Sequence, residues 1–217
     1  MDPKSVKLGS QEALEYVSWL VKADRLFDVA LTTYDFDLVT LVATQTQKDP
    51  KEYVPYLLEL KGMDPVLMRF RIHLDLKHFE TAVKKLARGD RALGESHPEV
   101  REAYFDEALA LVKKHRLFSK ALDFYSHSQS LTKRLKAAFA EYLLLRGYSE
   151  EAGFLYAAAE DTPSALQAFK KSLNVEMCLA LAAGMDKESR EELKDELAEK
   201  LKNASRYEVV YHHDDVS

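Results

Sequence analysis

The sequence predicts an all-α protein, specifically an irregular α-solenoid of tetratricopeptide-like antiparallel helix pairs. Three observations predict it. Leu (32) and Ala (25) make up about a quarter of the 217 residues, whereas Gly (7) and Pro (6) together hold about half their usual share. So many helix formers with so few turn residues argue against a β-sandwich, a barrel or a Gly-loop nucleotide fold. Helix start and stop signals follow one another at short intervals, and a short Ala/aromatic pattern recurs along the chain.

The elements follow in order. Leu14, Val17 and Val21 share a helical face behind the candidate N-cap Ser10. Asp35-Phe-Asp37 opens a helix on which Leu38, Leu41, Val42 and Gln45 line up. Asp49-Pro50-Lys51-Glu52 places an acceptor at the N-cap, Pro at the first helical position and Glu at the third. Asp64-Pro65 and Thr162-Pro163 repeat the device, and Ser149 and Ser189 are further N-cap candidates, Ser189 with Glu192 three residues on. Pro55 predicts a kink or a restart near Tyr53-Val54. Helix ends are expected at Gly62, Gly89, Gly147 and Gly184, with a loop from Gly89 to Pro98. The last strong helix carries a Leu193, Leu197, Leu201 stripe and an exposed Glu196–Lys200 pair. The expected organisation is a flexible N-terminal tail over 1–9, the solenoid over 10–204, and a frayed C-terminal tail over 205–217.

The recurring pattern reads Phe27-Ala30-Tyr34, Phe79-Ala82-Leu86 and Phe118-Ala121-Tyr125, with weaker copies at Tyr148-Ala152-Tyr156 and Ala165-Phe169. On a helix these residues share a face. The small Ala admits a neighbouring helix, and the aromatics fill the wedge between successive pairs. Intervals between the alanines of 52, 39, 31 and 13 residues exclude a regular array. An ordinary helical bundle with coincidental packing is the competing arrangement.

Charge and cysteine usage narrow the function classes. The net charge of −5 supplies no global basic field for nucleic acid. A single Cys178 excludes an intramolecular disulfide or a multi-cysteine metal site, and suits a reducing compartment. No apolar run reaches membrane-spanning length, and Met1-Asp2-Pro3-Lys4 is no signal peptide. A soluble, intracellular protein is the expectation.

Candidate chemistry is sparse. Asp35-Phe-Asp37 matches the Asp-x-Asp pattern of metal-dependent glycosyltransferases, but it starts a helix, where acidic residues favour the positive dipole end. Asp75-x-x-His78 has the spacing of a carboxylate–histidine pair, but no second such pair exists. His212-His213-Asp214-Asp215 reads as tail rather than as an ion site, and Cys178 as a buried small hydrophobe. No catalytic residue, cofactor or metal is expected. The basic residues cluster mid-chain: Arg69, Arg71, His73, Lys77 and His78, then Lys84, Lys85, Arg88 and Arg91, then Lys113, Lys114, His115 and Arg116, then Lys133, Arg134 and Lys136. If the helices over 70–90 and 113–136 stack side by side, they present a stripe suited to phosphates, diluted by Glu80, Asp90, Glu107 and Asp123.

The stretch from Tyr34 to Leu58 resembles a signature of the largest-subunit family of the Elongator complex. In that family a YDFDL-type start is followed by a run close to VA-x-x-(S/T)QKDP(K/R)EYLPFL. Val42-Ala43, Gln47-Lys48-Asp49-Pro50-Lys51-Glu52-Tyr53 and Pro55 match, while Val54-Pro55-Tyr56 replaces Leu-Pro-Phe. Leu76–Val83 resembles a further family helix. Leu145–Phe154 resembles its "Y-x-x-AG-L" segment, with one extra residue before Ala152. The likeness runs from about Trp19 to Tyr207, and Val209–Ser217 do not resemble the family's natural continuation.

The resemblance implies a segment of a tetratricopeptide-like arch acting as a non-catalytic scaffold. The complex it serves makes a carboxymethyl-type modification at position 5 of the tRNA wobble uridine. The implied partners are the other Elongator subunits: the catalytic radical S-adenosylmethionine and acetyltransferase subunit, and a propeller subunit. The family's dimerising region would lie outside this chain, and the implied location is the cytoplasm, with the nucleus as a second. No membrane contact is implied. Two other readings stay open. One is a weakly tRNA-contacting basic helical module built on Lys84, Lys85, Arg88, Lys113, Lys114, Arg116, Lys133 and Arg134; the other is an independent helical-repeat adaptor that binds peptides.

Overall fold

In the computed structural model, residues 21–94 and 96–214 are described, the side chains from 204 onward excepted. Twelve helices and no strand occur among them: α1 (Ala23–Leu31), α2 (Phe36–Gln45), α3 (Pro50–Lys61), α4 (Pro65–Asp75), α5 (Phe79–Leu93), α6 (Pro98–His115), α7 (Phe118–Phe124), α8 (Gln129–Leu145), α9 (Ser149–Ala158), α10 (Thr162–Ser172), α11 (Val175–Ala182) and α12 (Lys187–Asp214). The chain forms two compact units, Met1–Leu111 and Val112–Ser217. In each, the helices that pack most closely are consecutive in sequence, as an α-solenoid requires. The Leu14–Val17 face, Ser10 and the N-terminal tail fall outside the described residues, as do the side chains of His212–Asp215.

Carboxylate caps start many of the helices. The Asp35 side chain accepts from the backbone N–H of Asp37 and Leu38, Asp49 from Lys51, and Asp64 from Val66 and Leu67. Each satisfies donors that have no carbonyl partner in the first turn. Three expected caps move. Asp161, not Thr162, caps α10 by accepting from Ser164 N–H at 3.2 Å. Ser149 is the buried first residue of α9, which has no side-chain cap. Ser189 lies inside α12 and donates both its N–H and its hydroxyl to Asp186, three residues upstream.

Six of the twelve helix ends share one device. The backbone N–H of Lys48, His78, Leu117, Tyr148, Asp161 and Asn174 donates to the carbonyl five residues back, and the residue before each donor is left-handed. That is the bond pattern of the Schellman cap. Only one of the six left-handed positions is a glycine, Gly147; the others are Gln47, Lys77, Arg116, Glu160 and Leu173. Of the expected glycine stops, Gly62 caps α3, while Gly147 and Gly184 follow α8 and α11. Gly89 does not stop a helix.

Several local expectations are revised by the structure. The segment from Gly89 is helical to Leu93 rather than a loop. A Cβ on Gly89 would lie 2.4 Å from Val66 Cγ1 and 3.2 Å from Tyr104, so the glycine is there for close approach. Next to it the fully buried Asp90 carboxylate accepts from Arg101 Nε at 2.8 Å, tying α5 to α6. Pro55 lies within one continuous α3, with no restart at Tyr53-Val54. On α2 the buried face is Val39, Val42 and Ala43, and Leu41 turns outward. On α12 Leu193 and Leu197 are buried, but Leu201 is exposed. The helical backbone of α12 runs through the start of the expected C-terminal tail, to Asp214.

The first unit is built on Phe27, Ala30, Leu31, Val42, Leu57 and Leu60. The second uses Ala140, Ala152 and Ala168 where α8, α9 and α10 meet, and Phe169, Cys178, Leu193 and Leu197 where α10, α11 and α12 meet. Phe118 stacks on Phe139 with 4.8 Å between ring centroids. A Cβ on Gly153 would lie 2.6 Å from the Phe169 ring, whereas one on Gly184 would meet nothing within 4 Å.

Denaturant unfolding of glycine variants checks this packing. Gly153→Ala is expected to destabilise by roughly 1–3 kcal/mol through overpacking against Phe169, and Gly184→Ala to change stability by less than about 0.5 kcal/mol. Arg101→Leu is expected to destabilise by roughly 1.5–3 kcal/mol, because it removes the charged hydrogen bond from Arg101 to the buried Asp90 carboxylate.

Candidate functional site

The eight basic residues predicted to meet phosphate divide between the units: Lys84, Lys85 and Arg88 in the first, the other five in the second. Most are held by contacts within the chain. Lys113 donates to Glu141 at 3.2 Å, and Lys133 to Glu160 at 2.5 Å. Lys85 lies over the Tyr34 ring at 5.1 Å, and Arg116 over the Tyr142 ring at 6.0 Å. Lys84 and Arg134 also make further interactions. Arg88 and Lys114 are exposed. Lys136, another residue of the predicted stripe, donates to the Ala158 carbonyl at the end of α9. Each pairing to a carboxylate removes net positive charge from the surface.

His73 is not a surface cation. It is buried on α4, and its Nε2 shares a 2.7 Å hydrogen bond with the hydroxyl of Tyr34, a residue of left-handed backbone. Nδ1 is buried with no hydrogen-bond partner. Burial first, then the nearby Lys85 and His78, lowers the His73 pKa from 6.5 to about 4. The imidazole is therefore neutral at physiological pH. Arg69 also covers the Tyr34 ring, at 5.2 Å, so the two cations flank an aromatic rather than an open groove. Asp75, the carboxylate of the Asp75-x-x-His78 pair, instead accepts from Arg71 and from the Tyr56 hydroxyl.

Two grooves open within the units. One, of about 810 Å³, lies between α4 and the first turns of α6 and is lined by Leu67, Phe70, Leu74, Val100 and Ala103. Tyr104 on α6 donates its hydroxyl to Asp64 at 2.7 Å, joining the two helices at one end. Burial acts to raise the Asp64 carboxyl, but bonds from Tyr104 and from the N–H groups of Leu67 and Val66 outweigh it and hold the pKa below the usual range. Burial and the bond to Asp64 push the Tyr104 pKa up to about 12. Sequence reasoning missed this groove, because it placed a loop across residues 89–98. The signal was the spacing of Leu67, Phe70 and Leu74.

The second groove, of about 780 Å³, lies between α10 and α12 and has a mixed polar and apolar lining. There Glu196 accepts from Lys170 at 2.5 Å and from Lys200 at 2.8 Å, and the two lysines hold its carboxyl below the usual range. Cys178 is fully buried, and burial raises its thiol pKa, which disfavours the thiolate. Among the described residues, no three His, Cys, Asp or Glu side chains gather as a metal centre needs, and no helix is long and apolar enough to cross a membrane.

Comparison with known proteins places this arrangement. Residues 2–60 match a family model described as the ELP1 alpha-solenoid, and residues 72–212 match one described as the ELP1 TPR domain. The chain is 35% identical over 184 residues to a putative elongator complex protein 1 of Xenopus laevis, covering 85% of this chain and 15% of that protein. It is 37% identical over 202 residues to elongator complex protein 1 of Oryctolagus cuniculus, covering 92% of this chain and 14% of that protein. For the same protein of Schizosaccharomyces pombe the identity is 38% over 144 residues, covering 66% and 10%. The chain thus spans about a seventh of the length of the first two relatives.

The buried His73 predicts a pH dependence. Between pH 6.5 and about 4 the unfolded chain binds a proton at this residue that the native state does not. Its contribution to stability is full above 6.5 and is lost as pH falls towards 4. Urea midpoints at pH 7 and pH 4.5 should therefore lie closer together in His73→Leu than in the wild type, and an NMR titration should find the His73 imidazole neutral at pH 5.5.

Proposed function

The chain belongs to the Elongator complex protein 1 family, and on that premise we propose that it is a non-catalytic scaffold segment of the Elongator complex. Its role is to support assembly of the cytoplasmic machinery that modifies tRNA wobble uridine at position 5. The partners are other Elongator subunits, the catalytic one and a propeller-bearing one, docked along the solenoid spanning residues 10–204. One observation carries the reading: consecutive helices pack on one another and leave lateral grooves open. Several titratable groups of displaced pKa support it, because they are already engaged in structural contacts. His73 is buried against Tyr34, Tyr104 bonds the Asp64 cap, and Glu196 is clamped by lysines.

Exposed Arg88 and Lys114 favour a second reading, a module that contacts tRNA directly. The two readings separate by salt. Phosphate contacts weaken steeply as salt rises, whereas a docked protein interface with an apolar centre does not. The purified chain is expected to retain the catalytic subunit at moderate salt, and Lys113→Gln/Lys114→Gln/Arg116→Gln is expected to leave that retention unchanged. Binding to tRNA alone, lost in the triple variant and at moderate salt, would transfer the function to the basic residues. Retention of neither partner would leave the segment as a spacer.

A further inference from the structure

The apolar groove between α4 and α6 carries an acidic rim, and we propose that it docks an amphipathic helix bearing Lys or Arg beside its apolar stripe. This deepens the scaffold reading and rests on it, by giving the chemistry of one docked partner. The floor and walls are Leu67, Phe70 and Leu74 from α4, with Val100, Ala103 and the buried Tyr104 from α6. Val100 remains 40% exposed beside the groove.

The net charge around this surface is negative. Asp64, Glu99 and Glu107 line the rim, and the one cation that lines it, Arg71, is paired with Asp75 at 3.1 Å. Neither Glu99 nor Glu107 makes an ion pair with a described residue. Hydrogen bonds keep Asp64 ionised, so the rim stays negative at neutral pH. A nucleic acid is repelled by such a rim, and a basic segment is attracted to it.

The walls decide between a helix and an extended segment. Both flanks are α-helices whose backbone groups are bonded within the helix, so there is no free strand edge for an extended peptide to pair with. A helix satisfies its own backbone and needs only apolar side chains at helical intervals. The wall residues have those intervals. Leu67 to Leu74 and Glu99 to Glu107 each extend over about 10–12 Å, which matches about two turns of a third helix laid between them.

The test uses the whole 217-residue chain and 15-residue peptides tiling the other Elongator subunits. The retained peptides are expected to show apolar residues at i, i+4 and i+7 beside Lys or Arg, and to weaken about tenfold against Glu99→Lys/Glu107→Lys. Both positions are exposed, and circular dichroism verifies that the variant is folded. Peptides with Lys and Arg exchanged for Glu should regain binding to this variant alone. Val100→Asp should weaken both sets. Retained peptides that are acidic, or that bind the variants as they bind the wild type, would overturn the proposal, as would retention of no peptide. Sedimentation showing a dimer that Val100→Asp dissolves would also overturn it, by assigning the face to a second copy. Intact subunits that bind wild type and groove variants equally would remove the groove while leaving the scaffold reading in place. Subunits that bind neither would remove both.

Discussion

At Ala30, Ala82, Ala121, Ala152 and Ala165 the side chain ends at Cβ, and every one of these positions is at most 4% exposed. A helix can approach its sequence neighbour closely only where the contact face lacks bulk, so these alanines set how near consecutive helices come. The aromatic partners then occupy the space that the alanines leave open. Phe118 and Tyr125 flank Ala121 in the second unit, and all three are buried. Gly153 carries the same requirement further. It stands beside Ala152 on α9, and only the missing Cβ makes room for the Phe169 ring of α10. Close neighbour packing buries apolar surface pair by pair, which is why a chain of short helices, each marginal in isolation, is stable at all.

The turns between pairs follow from the same constraint. Six of the helices turn towards their neighbours through one residue of left-handed backbone, and five of these six Schellman positions are filled without glycine. Each such position costs strain of order 1 kcal/mol. The capping bond to the carbonyl five residues back and the buried contacts on either side offset it. Left-handed Tyr34, between α1 and α2, puts its ring between Arg69 and Lys85 and its hydroxyl on His73. One unusual backbone angle thus links the Tyr34-Asp-Phe-Asp segment to α4 and α5.

Charge is distributed by use. Lysines that a linear reading groups into a basic stripe reach across to carboxylates later in the chain, as Lys113 does to Glu141 and Lys133 to Glu160, and Lys170, outside that stripe, pairs with Glu196. Exposed pairs of this kind contribute little to stability, typically under about 1 kcal/mol each. They do set which surfaces keep net charge. The α4–α6 groove retains its carboxylates because its one lining cation is already committed to Asp75.

Composition, cap spacing and the Ala/aromatic pattern were enough to specify an all-α solenoid. Those signals are local: a carboxylate three residues from an N–H, or an alanine one turn from an aromatic, acts wherever the helix lies. The Gln47–Pro55 stretch likewise carried the family, because it is contiguous. The tertiary structure decided what depends on residues far apart in the chain. Gly89 looks like a helix stop until Val66 and Tyr104 close on it, and Asp90 looks solvated until Arg101 reaches it from the next helix. His73 reads as part of a basic cluster until Tyr34, 39 residues earlier, covers it and burial keeps it neutral. The acidic groove was hidden for the same reason. Its two walls are separated in sequence by the whole of α5, and a groove exists only when both walls are in place.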